Sequence, residues 1–299
     1  MKIAAAQLAP KFLNKVETVN IACKAITEAG KQGAKLIVFP EVFISGYPDW
    51  VWLIPNSKGA VLNGLYLELV KNAVSVPDDT TEKLSKAAKS ANINVTIGMH
   101  EKNSETSNAS LYNSILFIND EGKIIGKHRK LIPTGGERLV WAQGDGSTLK
   151  TYNTSAGKIG GLICWENFMP LARNAMYQKG VQILVAPTWD KSPAWLTSMQ
   201  AYAREGGMFI ISCCMALKME DIPDTYAFKK IYPEGREWIT TGNSCIIAPN
   251  GKVIAGPLEA KKDILYADID LDDIVASKRM FDVAGHYARP DVFNFKVKK

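Results

Sequence analysis

The chain has 299 residues, 46% hydrophobic and 22% charged, with a formal net charge of +6. That apolar share can fill a large core, and no run of about 18 apolar residues offers a membrane span. The charge excess is mild and the lysines are dispersed, apart from Lys296, Lys298 and Lys299, so it speaks for solubility rather than for a nucleic-acid partner.

Met1–Gln7 reaches a polar residue too soon for a secretory segment and reads as a first strand, so a cytoplasmic location is expected. Val16 to Ala29 sets Val19, Ala22, Ile26 and Ala29 on one helical face, with Gly30 as its stop. Lys35–Phe39 has the pattern of a buried strand closed by Pro40. Helices are predicted within Asn63–Asn72 and from Thr80 to Ala91. Ile93–Met99 and Leu111–Asn119 read as strands, and the Asn119–Gly122 turn leads into Lys123–Gly126 as a hairpin. The second half repeats this rhythm. Lys158–Ile163 is a predicted strand, Asn167–Lys179 a helix, Val181–Ala186 a strand, Pro193–Glu205 a helix and Met208–Cys214 a strand. A second hairpin joins Asn243–Ala248 to Lys252–Ala255, followed by a strand at Asp263–Ile269 and a helix at Leu271–Met280.

Each half thus carries βαβ-like units and a hairpin, with no linker between them. This predicts one α/β domain over residues 1–299, with two sheets and the helices outside. Asp49–Gly64 and Leu217–Thr241 have no clear place in that plan. Both are rich in aromatic residues, and long irregular segments of compact domains are usually functional or interfacial.

The five cysteines (Cys23, Cys164, Cys213, Cys214 and Cys245) are odd in number and lack disulfide or metal-ligand spacing, so free thiols are expected. Cys213 and Cys214 sit in an apolar run and read as core. His100, His128 and His286 are too scattered for a zinc site, and no metal or cofactor is expected.

Three segments carry chemistry. In Gly160–Pro170 an apolar strand runs into Cys164 and then directly into a helix. Such a turn exposes the side chain at its apex, and the helix N-terminus favours a thiolate. A buried structural cysteine is the commoner outcome for a cysteine taken alone. In Phe39–Pro48, Glu41 follows a buried strand. Desolvation there would make it a base near neutral pH, although a loop-capping carboxylate fits equally. In Lys127–Arg138 a basic cluster containing Lys130 enters a Pro/Gly turn, which alone reads as a solvated loop or a phosphate site.

Together, Phe39-Pro40-Glu41, His128-Arg129-Lys130-Leu131 and Cys164-Trp165-Glu166-Asn167 resemble the three signatures of the nitrilase superfamily, in the same order along the chain. The resemblance implies a four-layer α-β-β-α sandwich and a triad of Glu41, Lys130 and Cys164. The continuation through Pro133-Thr134 and Glu137-Arg138 to Trp141, and Trp165 after the cysteine, are similar to the true nitrilase branch. Amidase and carbamoylase branches usually carry another aromatic there. The resemblance extends through Val181–Asp190, Gly242–Pro257 and Gly285–Asp291, and so covers nearly the whole chain.

It implies hydrolysis of an organic nitrile to the acid and ammonia through a thioimidate and a thioester on Cys164. Cyanide-converting enzymes share the cysteine signature, and an amidase would use the same triad. A non-catalytic scaffold is the reading from another class. Glu137 is implied as a second glutamate that orients the lysine or the substrate; the bland reading pairs it with Arg138 at the surface. Tyr47, Trp52, Thr134, Trp141, Trp165 and Trp189 are the implied pocket residues, with Trp189 larger than expected and narrowing the pocket. For Glu166 and Arg173 a structural salt bridge or cap is expected. A homo-oligomer is implied too. Many microbial members continue well beyond the His286–Asp291 segment, whereas this chain stops at Lys299, which speaks against tail-stabilised filaments.

Overall fold

The computed structural model describes residues 1–298; Lys299, one of the three C-terminal lysines, lies outside the described residues. The first half runs β1 (Lys2–Gln7), α1 (Lys15–Lys31), β2 (Ala34–Val38), α2 (Gly59–Lys71), α3 (Asp79–Ala91), β3 (Asn94–Lys102), β4 (Leu111–Ile118) and β5 (Ile124–Arg129). The second runs β6 (Thr151–Thr154), β7 (Gly157–Gly161), α4 (Pro170–Gln178), β8 (Ile183–Thr188), α5 (Pro193–Gly206) and β9 (Phe209–Cys214). It continues with β10 (Leu217–Lys218), β11 (Trp238–Thr240), β12 (Gly242–Ile247), β13 (Val253–Glu259), β14 (Asp263–Asp268) and α6 (Asp272–Lys278).

Two six-stranded mixed sheets result, ordered β14-β1-β2-β3-β4-β5 and β13-β12-β9-β8-β7-β6. Each has a parallel centre of three strands, β1-β2-β3 in one and β7-β8-β9 in the other, with antiparallel strands on both sides. Strand β14 pairs with β1, so the end of the second half completes the first sheet.

The period of two in the strands builds the layers. Ile3, Ala5, Leu36, Val38, Ile115 and Phe117 face Ile159, Ile183, Val185, Phe209 and Ile211 across the middle of the molecule. The alternate residues of the first sheet, Ala4, Ala6, Ile37, Leu116 and Ile118, pack outward on Val19, Ala22, Ile26, Leu84 and Ala88 of α1 and α3. Leu184, Ala186, Ile210 and Ile247 of the second sheet pack on Ala172, Met176, Trp195, Met199 and Ala203 of α4 and α5. Strands of this kind, buried on both faces, explain the near-continuous apolar runs of the sequence. The layering is the α-β-β-α sandwich.

Local chemistry fixes the helix starts. Asn14 accepts the Glu17 N–H ahead of α1, and Asp78 forms a reciprocal cap with Thr81 ahead of α3. Ser192 accepts the Trp195 N–H while Pro193 opens α5. Gly30 does not stop α1, which runs on to Lys31. A Cβ at Gly30 would lie 2.8 Å from Ala91, so glycine serves the close approach of α1 to α3 there.

Two further expectations are corrected. The polar strand β6 has no apolar pattern and was not anticipated. The α-helix after Cys164 begins at Pro170, because a five-residue 3-10 turn, Cys164–Phe168, comes first. The irregular segments pack together: Trp50 and Phe228 lie 5.9 Å apart between ring centres, and Tyr232 donates its hydroxyl to Asp49. Among the described residues no helix is long and apolar enough to cross a membrane.

Candidate active site

The chain leaving β2 runs along β3: Phe39 N–H donates to the Thr96 carbonyl at 2.8 Å and Ile44 N–H to that of Gly98 at 3.1 Å. A Cβ at Gly98 would collide with the Pro40 carbonyl and the Val42 amide, so glycine allows this approach. Between those contacts sits Glu41, 1% exposed. Its Oε1 accepts from Asn113 Nδ2 at 2.7 Å and from Lys130 Nζ at 2.9 Å. Its Oε2 is buried and has no hydrogen-bond partner among the described residues.

Lys130 follows β5. Its N–H donates to the Asn113 carbonyl at 2.8 Å, and its own carbonyl accepts from Gly144 N–H at 2.9 Å. Its ammonium is fully buried and also donates to Glu137 at 2.8 Å. Glu137 Oε2 accepts the Thr134 N–H at 2.7 Å, and Oε1 accepts the Tyr47 hydroxyl at 2.8 Å. One cation therefore serves two buried carboxylates. Arg138 takes no part in this; it donates to the Pro133 carbonyl.

Cys164 opens the turn after β7 with φ at 50°, a conformation most side chains avoid. Asn167 holds it there, donating from Nδ2 to the Leu162 and Cys164 carbonyls at 2.8 and 2.9 Å. Thr188, at the end of β8, donates its hydroxyl to Cys164 Sγ at 3.2 Å.

Burial is the largest influence on each ionisable group. It pushes the Glu41 carboxyl up, against the pull of Lys130. It pushes the Cys164 thiol up to about 12, with the Glu41 charge adding to it and Lys130 opposing. Burial opposes the charge of Lys130, but Glu41, Cys164 and Glu137 together hold its pKa above the ordinary lysine value. The α-helix expected directly after Cys164 starts six residues beyond it, so the N-terminus of α4 does not adjoin the sulfur.

A cavity of about 360 Å³ opens onto this cluster, lined by Tyr47, Trp52, Thr134, Glu137, Cys164, Trp165, Trp189, Asp190 and Ser192. Trp189 stacks on Tyr47 at 4.4 Å with the rings 6° from parallel, and Trp52 Nε1 donates to the Tyr47 hydroxyl at 3.2 Å. Trp165 Nε1 donates to Asp190 at 2.8 Å. Trp141 lies elsewhere. It is buried behind Tyr47, edge-on at 5.9 Å, and donates to His100 Nδ1 at 3.0 Å, so it supports the wall without lining the cavity. A larger open groove of about 770 Å³ lies elsewhere, beside Arg204, Ser277 and Phe281.

A model of the carbon–nitrogen hydrolases matches residues 2–279. The chain belongs to the carbon–nitrogen hydrolase family. Nitrilase 3 of Arabidopsis thaliana is 42% identical over 291 residues, covering 94% of this carbon–nitrogen hydrolase and 82% of its own length. An aliphatic nitrilase of Sinorhizobium fredii is 41% identical over 298 residues, covering 99% and 95%. The crystal structure of Saccharomyces cerevisiae Nit3, a member of branch 10 of the nitrilase superfamily, shares the fold, with a TM-score of 0.73, 21% identity and 96% of each chain covered.

Four residues at this site were not singled out from the sequence: Asn113, Thr188, Asp190 and Ser192. Asn113 had a signal, since Tyr112-Asn113-Ser114 is a polar interruption in an otherwise apolar strand. Thr188 had none, because threonine is an ordinary strand residue.

Proposed function

We propose that this carbon–nitrogen hydrolase is a nitrilase in which Glu41, Lys130 and Cys164 carry the reaction. The observation that carries the reading is the lone Glu41 Oε2, a buried acceptor without a donor in a cluster that also holds the Cys164 thiol. A carboxylate with a raised pKa and a free oxygen is poised to receive a proton.

Cys164 Sγ bonds to the nitrile carbon as its proton passes to Glu41. The nitrogen gains charge, and the Lys130 ammonium donates to it; the Trp165 backbone N–H is a second donor. The nitrogen takes that proton back from Glu41, which leaves a thioimidate and an ionised Glu41. Water adds to the same carbon as Glu41 takes one of its protons, Glu41 returns that proton to the nitrogen, ammonia leaves, and a thioester remains. A second water releases the acid and restores the thiol. Glu137 holds Lys130 between two carboxylates and fixes Tyr47. Tyr47, Trp52, Trp165 and Trp189 form the apolar walls for the substrate's organic group, and Thr134 adds a polar contact. The nitrilase names of relatives about 40% identical over nearly the whole chain favour a nitrile over an amide.

The enzyme acts in the cytoplasm as a homo-oligomer of single-domain subunits. Exposed Val275, Met280 and Phe293 (71%, 67% and 71%) give it apolar surface for self-association. Light scattering that found only a 32.8 kDa particle would remove the oligomer.

The deciding experiment is ammonia release from phenylacetonitrile, an aliphatic dinitrile, cyanide and one matching amide. The expected result is ammonia from an organic nitrile, reduced more than about 10³-fold by Cys164→Ala, the scale seen when a covalent nucleophile is removed. Ammonia from the amide alone would replace nitrilase by amidase.

A further inference from the structure

Two residues beyond Cys164, a further glutamate is buried with both oxygens in use. Glu166 is 2% exposed. Its Oε2 accepts the Ile163 N–H at 2.8 Å, and its Oε1 accepts the Leu131 N–H at 2.9 Å. His128 Nε2 lies 3.0 and 2.9 Å from the two oxygens. A helix cap needs only one of these bonds. The other reaches across the space between the sheets to a different loop.

The partners make the point. Ile163 directly precedes Cys164, and Leu131 directly follows Lys130. Glu166 therefore joins the backbone beside the nucleophile to the backbone beside the ammonium. His128 approaches from β5, two residues before Lys130. A carboxylate only accepts, so His128 carries its proton on Nε2. His128 Nδ1 lies 3.1 Å from the Thr148 hydroxyl, and Thr148 Oγ1 accepts the Arg129 N–H at 3.3 Å. Of the salt bridge or cap expected for Glu166 and Arg173, Glu166 provides the cap at Ile163 N–H, while Arg173 pairs with Glu205 at 3.2 Å.

We infer that Glu166 is a positioning residue that sets the separation of Cys164 from Lys130, with His128 orienting it. The inference rests on Cys164 and Lys130 having the roles proposed above. Glu166 itself touches neither Sγ nor Nζ; it acts through the amides on either side of them. Reaction at Cys164 depends on the position of a charge near the attacked carbon. Binding of the substrate depends on cavity walls that Glu166 does not form.

Glu166→Gln is the selective test. Glutamine keeps the volume but has one acceptor oxygen, so its NH2 must oppose either the Ile163 or the Leu131 N–H. Single-turnover acylation of Cys164 by phenylacetonitrile, followed by quench and intact mass, is expected to slow on the order of 10²-fold, the cost of a small misplacement. KM should stay within about threefold, since the cavity walls are untouched. The pH profile of Cys164 alkylation by iodoacetamide should also shift, because the distance to Lys130 changes. His128→Gln, which leaves both amide bonds in place, should slow acylation by a smaller factor, about three- to tenfold. It carries the test should the first variant not fold. Wild-type acylation rates and pH profiles in both variants, or in His128→Gln alone where only it folds, would overturn the inference. Absence of any wild-type adduct on Cys164 would instead remove the proposed nucleophile, and this inference with it.

Discussion

Two buried ion clusters meet strands β3, β4 and β5, one on each face of the sheet: Glu101 and its partners lie on the strands, whereas Glu41, Lys130 and Glu137 come from the segments beyond strand ends and reach the sheet through Asn113. Register explains the separation. His100 pairs with Asn113, while Ser114 pairs with Arg129, so neighbouring residues alternate between faces. On the outer face Glu101 accepts from Ser114 at 2.8 Å, from Arg129 at 3.0 and 2.6 Å, and from Lys127. On the inner face Glu41 shares one lysine with Glu137 and leaves an oxygen bare. Burial pushes both glutamates up. At Glu101 the two cations and the hydroxyl overcome it and hold the carboxyl below its ordinary value. At Glu41 they do not. A saturated carboxylate is structure; an under-compensated one can accept a proton.

The strongest way to break this contrast is to neutralise each glutamate in turn. Glu41→Gln is expected to reduce kcat by about 10²–10⁴-fold, the range for loss of a general base. Its melting temperature should not fall, because Lys130 keeps Glu137 and a costly buried charge is removed. Glu101→Gln should do the reverse. It weakens the pairing of Arg129, which keeps Glu105 at 3.7 Å, and of the partly exposed Lys127, and is expected to cost about 1–3 kcal/mol of stability, with kcat within a few-fold. The pH profiles follow the same signs. Activity needs ionised Glu41, so the acid limb of kcat/KM lies above the ordinary glutamate value of 4.5. Stability from Glu101 is fully present above that value and is lost as pH falls through its lowered pKa. Equal loss of stability in the two variants would erase the distinction.

Much of this was legible in the sequence because strands buried on both faces leave apolar runs, and because the triad falls at the ends of such runs. The two sheets with helices outside followed from those runs, and the four-layer sandwich from the family resemblance that the three short motifs carry; the structure brings Glu41, Lys130 and Glu137 into contact. What lay hidden depends on contacts between segments far apart in the chain. Trp141 looked like a pocket residue, but His100, 41 residues away, takes its indole N–H. Glu166 looked like a local cap, yet half of its work is at Leu131. Thr188 meets Cys164 across two parallel strands, a pairing that no local pattern encodes.

His100 sharpens the contrast with a smaller effect. It faces the catalytic side, one residue from Glu101, and has no opposite charge. Trp141 donates to its Nδ1, so Nε2 donates to the Gly46 carbonyl at 2.8 Å. It thereby pins the Glu41 loop to the end of the Lys130 loop. Burial depresses its pKa from 6.5 to about 4, with the Gly46 bond opposing. The neutral ring is the folded form, so its contribution is full above about pH 6.5 and is lost as pH falls towards 4. The shift corresponds to about 3 kcal/mol. Denaturation of the wild type and His100→Gln at pH 7, 5.5 and 4.5 would measure it. The gap between them should close as the pH drops, and parallel curves would show that His100 does not titrate this way.

The smallest test touches the sulfur itself. Among the described residues Cys164 has one hydroxyl donor, Thr188, and burial and the Glu41 charge both hold its thiol protonated. In a cluster this short of donors a single bond to sulfur should be visible in the rate. Thr188→Val keeps the shape and removes the donor, and acylation is expected to slow about three- to tenfold, the effect of one hydrogen bond of about 1 kcal/mol. Thr188→Ser restores the hydroxyl and should restore the rate. Thr188 also accepts the Asp190 N–H at 2.9 Å, so movement of the cavity wall would appear in KM, and the serine control separates the two effects. If valine and serine react alike, the thiol draws its activation from Glu41 and Lys130 alone, and the inner cluster is poorer in donors than the geometry implies.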